Sequence, residues 1–405
     1  MILTKLNNTR FTVVLMLFLG LQIPSAAQDV INKALIESNE TLLFNPLIQI
    51  EATSAVNDMY NFKFERAANQ FNWFKEKYPN HPLPYFLLGL NEWWKIMPNI
   101  DIKDYDEAFF NYMDISIDKA RDLYQKDDSN IEASFFLAAA YAFKSRLHAE
   151  RKHWTKATLN GKSALKYLRR GKELNQLSPE LMFGDALYNY YSVWIPENYP
   201  LLKPILMFFK KGDQALGLQQ LQEVAENAFY TRTEAQYFLM RIYRSEEKSP
   251  HKAFPIAQYL EKTFPDNAYF QRYYAGVAFS MQMHSEVDRV CKDILLKIDQ
   301  QYPGYEATSG RYAAYYLAYT QRYIYRNQAL AKEYFLKTVD FADTTDADYS
   351  AYYHSALVEL ARISDGEKNI PKAKSYYTLV KKYAKKKTPY YKEAVAYLKK
   401  HKKEK

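Results

Sequence analysis

Apolar residues recur three and four positions apart along nearly the whole chain, and alternating stretches bounded by Asn-Gly or Gly turns are absent. That spacing puts apolar side chains on one face of a helix, so the chain is read as all-helical. Three stretches share a finer pattern: a small residue, a second core residue four later, a third seven later and a proline twelve later. They are Ala67-Phe71-Phe74-Pro79, Ala253-Ala257-Leu260-Pro265 and Cys291-Leu295-Ile298-Pro303. Two more, Ala331-Phe335-Thr338 and Ala373-Tyr377-Val380, keep the helix and lose the proline. Positions four and seven apart share a face, the small residue admits a close neighbour, and the proline ends the helix.

A second apolar helix precedes most of these stretches. Its crossing point is marked by a pair containing a small residue: Leu88-Gly89, Leu137-Ala138, Ala275-Gly276, Leu317-Ala318 and Leu360-Ala361. This helix-turn-helix pattern resembles tetratricopeptide (TPR) repeats, which implies an α-α superhelix, a TPR-like solenoid. Residues 100–175 keep helical spacing, but their helices read as too long for a strict 34-residue unit.

The middle of the chain departs from the repeat. Residues 184–228 carry Pro196, Pro200 and Pro204 ahead of Lys211-Gly212-Asp213. Gly184, Ile195, Pro196, Phe208, Gly212, Asp213, Gly217 and Leu218 are similar to a segment of the inclusion-body clearance family of TPR proteins. The resemblance implies an irregular helical insertion and carries over no function. Asp213 is expected to cap the following helix, and Gly217 to mark a close approach.

The N-terminus reads as a signal peptide. Lys5 and Arg10 precede the apolar run Phe11–Ile23, and Pro24-Ser25-Ala26-Ala27 offers small residues to a signal peptidase. Cleavage after Ala27 is expected, with no cysteine beside the site to carry a lipid. No later run approaches the roughly 20 apolar residues of a membrane-spanning helix. The expected organisation is a signal peptide (1–27), TPR-like repeats (28–180), an irregular proline-containing helical segment (181–230), further TPR-like repeats (231–384) and a basic capping helix with its tail (385–405). The expected location is periplasmic, or secreted.

Charge sharpens one point. The net charge is +9, yet residues 381–405 alone hold eleven Lys against Glu393 and Glu404. The basic character therefore belongs to a tail rather than to a groove. The tail is read as a solvated capping helix with a second reading of contact with an anionic surface, and nucleic acid is not expected. The single cysteine excludes an intrachain disulfide framework, and Cys291 is expected in the core.

No catalytic, cofactor-binding or metal-binding constellation stands out. Phosphate-loop and dinucleotide patterns are absent, and His148 and His153, five apart, point roughly 140° away from each other on a helix. The chain is expected to be no enzyme and to need no cofactor. An acid-base role for Glu197 or Asp213 is the weakest reading.

What stands out is the aromatic content: 37 Tyr and 24 Phe. In the resembled family the first helix of each pair lines the concave surface. That geometry places Phe86, Trp93, Trp94, Phe135, Phe143, Tyr273, Tyr312, Tyr315, Tyr319, Arg322 and Tyr323 towards a groove. Trp93, Trp94, Tyr312, Tyr315, Tyr319, Arg322 and Tyr323 form the expected partner-binding set. Tyrosines between Tyr312 and Tyr325 would cover every side of one helix, more than packing alone buries. The expected function is an exported scaffold or adaptor of the cell envelope, with a protein or peptide held in a concave aromatic groove. The alternative is glycan binding by aromatic stacking.

Overall fold

A computed structural model describes residues 41–171, 179–200 and 210–402. Every regular element among them is helical. The first eight helices are α1 (Pro46–Tyr60), α2 (Phe64–Lys77), α3 (Pro82–Ile96), α4 (Asp106–Lys126), α5 (Ile131–Glu150), α6 (Trp154–Gly171), α7 (Pro179–Asn198) and α8 (Gln214–Asn227). They are followed by α9 (Arg232–Arg241), α10 (Pro250–Thr263), α11 (Ala268–Ser280), α12 (His284–Asp299), α13 (Ala307–Tyr319), α14 (Gln328–Thr344), α15 (Ala351–Gly366), α16 (Ile370–Tyr383) and α17 (Pro389–Lys400). The expected signal peptide and the stretch around Phe208 lie outside the described residues.

Most helices pack on the next one in sequence, and the pairs α2–α3, α5–α6, α9–α10, α11–α12, α13–α14 and α15–α16 are joined by turns of a few residues, which makes them antiparallel. Odd-numbered helices also touch the next odd-numbered helix over α3–α5–α7 and α11–α13–α15–α17. The result is a TPR-like α-α array in which odd helices form the inner layer and even helices the outer one. The described residues from Ala52 onward form one compact unit.

The repeat is written in the backbone as well as in the side chains. Phe62, Lys152, Lys248, Gln282, Arg326 and Lys368 each end the first helix of a pair in the left-handed region, at φ between 51° and 60°. None is glycine, so the turn is set by the hairpin rather than by residue type. Side-chain caps then start the helices: Asn130 accepts from Ala133 N at 2.8 Å, Asn267 from Phe270 N at 3.0 Å and Ser350 from Tyr353 N at 3.2 Å.

Four of the five core triplets behave as their spacing requires. Ala67, Phe71 and Phe74 are fully buried, as are Ala253, Ala257 and Leu260, and Ala331, Phe335 and Thr338. Ala373, Tyr377 and Val380 are buried too. The fifth is shifted by four residues: Val287, Cys291 and Ile294 are buried, while Leu295 and Ile298 are only half-buried. Here the proline follows the middle core position by twelve residues instead of eight, so Cys291 takes that middle position. Burial pushes its thiol well above the ordinary range, which suits a core residue.

The long helices expected over 100–175 are α4, α5 and α6, of 21, 20 and 18 residues. In the middle segment Asp213 caps α8, accepting from Ala215 N at 2.9 Å and Leu216 N at 3.1 Å. A Cβ at Gly217 would sit 2.6 Å from Tyr190 N, so α8 lies directly on the backbone of α7. At the other end α17 docks through buried Ala394, with Tyr391 and Leu398 packed beside it. Its Glu393 accepts from Arg362 at 2.9 and 2.7 Å. No helix among the described residues is long and apolar enough to cross a membrane.

Candidate functional site

The inner layer divides into a closed part and an open part. The closed part begins with Trp93 and Trp94 on α3. Both are completely buried. Their partners are not only neighbours in sequence but residues far along the chain: Trp94 packs on Phe270 at 5.3 Å and Tyr237 at 5.9 Å between ring centres. Its indole N–H donates to Glu234 at 2.9 Å, and Tyr60 donates to the same oxygen at 3.4 Å. Further bonds tie the same regions together: Asn267 to Tyr60 O at 2.7 Å, Lys63 to Asp266 at 2.6 Å and Arg272 to Pro98 O at 2.7 Å. The superhelix is therefore wound tightly enough here for side chains to meet across its axis. Trp93 and Trp94, expected to line a groove, instead fill it. Phe86 is buried with them, and Phe135 and Phe143 are half-buried against it at 6.4 and 6.0 Å.

Glu234 is the polar centre of this block. Burial pushes its carboxyl up to about 7, against the opposing pull of Arg146, Trp94 and Tyr60. Its second carboxylate oxygen is buried without a hydrogen-bond partner.

The open part lies on α13 and its continuation. Tyr319 is 36% exposed, with its ring on Phe279 at 5.1 Å and Tyr323 at 4.8 Å. Arg322 donates to Gln328 at 2.7 Å, and Tyr323 donates to Glu359 at 2.6 Å. Tyr315 shares a hydrogen bond of 2.9 Å with Ser355 and rests on Tyr352 at 4.5 Å. Tyr312, half-buried, meets the same Tyr352 at 5.1 Å. Tyr273 is half-buried beneath the Arg244 guanidinium at 5.0 Å. The expected set is thus split: Tyr312, Tyr315, Tyr319, Arg322 and Tyr323 cluster together, while Trp93 and Trp94 belong to the closed block.

The sequence reads α13 as one regular helix through Tyr325, but its last turn is wider. Tyr325 N donates to Thr320 O, five residues back, at 3.0 Å, and Glu247 N bonds Ile242 O in the same way after α9 at 2.9 Å. These are π turns over Thr320–Ile324 and Ile242–Glu246. Each inserts a residue and rotates the end of its helix, which leaves Ile324 and Tyr325 on the exposed side.

Between the two parts lies a cavity of about 280 Å³. Arg146, Arg241, Arg272 and Arg311 line it, from α5, α9, α11 and α13, with Tyr269 and Tyr312 beside them. The guanidinium of Arg146 lies over Trp93 at 4.7 Å and donates to Tyr237 OH at 2.9 Å. Burial works to push the Tyr237 phenol up, yet the charges of Arg146 and Arg241 outweigh it and bring the group to about 8. Sequence reasoning placed none of these four arginines. The available signal was an Arg-Tyr pair recurring on inner helices, at Arg272-Tyr273, Arg311-Tyr312 and Arg322-Tyr323.

No protein-family model matches the sequence, and no curated protein matches it. Solved structures match by shape. The human IFIT1 dimer with PPP-AAAA is similar at a TM-score of 0.44 and 12% identity, over 79% of this chain and 68% of that one. Yeast Tom70 is similar at 0.36 and 12%, over 93% and 86%. The C-terminal part of a TPR repeat-containing protein from Cytophaga hutchinsonii is similar at 0.28 and 13%, over 86% and 99%. At this level of likeness no site, ligand or partner passes from those proteins to this chain.

Proposed function

We propose that the chain is an exported, non-enzymatic adaptor that holds a protein or peptide partner on the open part of its inner layer. The observation that carries this reading is Tyr319. On a helix whose other faces are packed, it stays exposed, flanked by Tyr323 and Arg322. Tyrosine and arginine are the side chains that give protein interfaces large contact area with hydrogen-bonding edges. Glycan stacking on Trp93, Trp94, Trp194 and the tyrosines is the weaker reading, because Trp93 and Trp94 are fully buried and Trp194 is half-buried against Tyr191 and Tyr199. The export half of the proposal rests on Lys5, Arg10, the apolar run and Ala27.

The test is affinity capture of the full chain from the envelope fraction, beside a Tyr319→Ala/Arg322→Ala variant. A protein enriched by the parent chain and lost with the variant is the expected result. Equal capture by both would overturn the assignment, and recovery of the chain from the cytoplasm would overturn export.

A further inference from the structure

The four arginines of the cavity are short of partners. A nearby arginine shows what a structural one looks like in this molecule. Arg151 grips Asp106 through two nitrogens at 2.6 and 2.7 Å, donates to Ile102 O at 2.6 Å and also bonds Ile100 O. The cavity arginines have nothing comparable. Among the described residues, no carboxylate lies within 4.0 Å of Arg146 or Arg311. Arg241 reaches Glu246 only at 3.8 Å, and Arg272 reaches Glu306 only at 3.9 Å. Neither distance is a hydrogen bond.

The surrounding carboxylates spend most of their hydrogen-bonding oxygens on other groups, although one oxygen each of Glu234 and Glu246 stays buried without a partner. Glu306 caps α13, accepting from Thr308 N at 2.8 Å and Ser309 N at 3.2 Å. Glu246 accepts from Tyr191 OH at 3.1 Å, and Glu234 holds Trp94 and Tyr60. Arg311 is 7% exposed, gives one bond of 3.1 Å to Thr345 Oγ1, and buries its Nε with no partner at all. Arg272 has carbonyl and hydroxyl acceptors in Pro98 O at 2.7 Å and Ser309 Oγ at 3.1 Å, which satisfy hydrogens without neutralising charge. Asp101 and Glu150 line the cavity as well, but both are exposed and neither comes within 4.0 Å of an arginine or lysine nitrogen among the described residues.

Gathering four guanidiniums around one space costs free energy through mutual repulsion and lost hydration. A folded chain tolerates such an arrangement where a ligand of opposite charge repays it. Arg241 and Arg272 have only the distant carboxylates of Glu246 and Glu306, and Arg146 and Arg311 have none within 4.0 Å among the described residues, so two guanidinium charges of the lining are left without an ion pair. The planar donor forks match the oxygens of a carboxylate or a phosphate. A cavity of about 280 Å³ is at the small end of ligand pockets, which run from about 300 Å³ upward. We infer that this cavity is a binding site for a compact dianionic oxyanion, a dicarboxylate or a phosphate monoester, held by Arg146, Arg241, Arg272 and Arg311.

The test is calorimetric titration and thermal melting of the full chain at low ionic strength. The probes are inorganic phosphate and succinate, with uncharged succinamide and matched sodium chloride as controls. Phosphate or succinate should bind and raise the melting temperature, and succinamide and chloride should not. Phosphate alone points to a phosphoryl ligand, succinate alone to a dicarboxylate, and both to recognition by charge. Arg311→Gln should weaken binding at least tenfold, and Arg311→Lys, which keeps the charge and loses the fork, should weaken it less. The Arg311→Gln variant without ligand should melt at or above the parent temperature, since it removes an uncompensated charge, whereas a structural arginine would lower it. Binding no better than the two controls, or an Arg311→Gln variant with parental affinity, would overturn the site. Should that variant fail to fold, the parent chain against succinamide and chloride still decides. Partner capture through Tyr319 and Arg322 is read separately, so the loss of either result leaves the other standing.

Discussion

The inner layer at α3, α9 and α11 and the inner layer at α13 are built from the same materials, aromatic rings and arginines on the first helix of each pair. They end in opposite states. At α3 the rings of Trp93 and Trp94 are 0% exposed: α9 and α11, from distant repeats, close over Trp94, while Phe109, Phe143 and Arg146 of the two helices after α3 cover Trp93. At α13 the tyrosines find partners on the two flanking inner helices, Tyr312 and Tyr315 on α15 and Tyr319 on Phe279 of α11, and Tyr319 is left at the surface. What separates a core from a surface here is the winding of the array rather than residue type. A tight turn converts would-be binding residues into packing, and the gap between the tight and open turns holds the arginine cavity.

The comparison can be broken most forcefully at Trp94. Trp94→Ala removes a fully buried ring and the N–H that Glu234 accepts, so a loss of about 3–5 kcal/mol is expected in denaturant unfolding. A loss below about 1 kcal/mol would mean the closed block is no core. Glu234 sharpens the same point through pH. In the folded chain its carboxyl keeps a proton up to about 7. An unfolded glutamate releases its proton near about 4.3. Between those values the folded state binds more protons, so this group lowers stability progressively as pH rises through the window. The penalty, on the order of 3 kcal/mol, is complete above pH 7. Glu234→Gln, which retains an acceptor for Trp94 and Tyr60, should flatten that slope and melt higher than the parent at pH 8. An unchanged slope would sink the assignment.

The open part should respond weakly. Tyr323→Phe deletes the hydroxyl that donates to Glu359 at 2.6 Å, for an expected cost of about 1 kcal/mol in the same unfolding assay. Tyr319→Ala/Arg322→Ala loses the Gln328 hydrogen bond and the Glu359 ion pair at 3.6 Å and should cost about 1 kcal/mol, well short of Trp94→Ala. Its main phenotype should be in partner capture. A large stability loss there would merge the two regions into one core.

The sequence made much of this readable, for physical reasons that also set its limits. Local spacing marks which face of a helix is apolar, so Ala67-Phe71-Phe74 and Ala253-Ala257-Leu260 could be placed in the core directly. Asp213 and Gly217 were readable because a cap and a close approach each act within a turn or two. Cys291 slipped by four because Leu295 and Ile298 continue the apolar spacing beyond the point where the helix is most deeply packed. The π turns at Ile242–Glu246 and Thr320–Ile324 carry no local mark, and neither do the left-handed turns at Lys248 or Arg326. The burial of Trp94 depends on contacts some 140 to 180 residues away in sequence, such as Glu234 and Phe270. The arginine cavity draws on four separate helices for the same reason. Period alone tells which side of a helix faces inward, and superhelical winding decides what inward means.

The central claim, that the open inner face around α13 is the interaction surface, is tested most directly by photocrosslinking in the cell. A photoreactive residue is placed at Tyr319, on the inner layer, or at Tyr259, 49% exposed on the outer helix α10. The account predicts a discrete protein adduct in the envelope fraction from position 319 and none from position 259. Adducts of equal yield from both positions, or from position 259 alone, would contradict it.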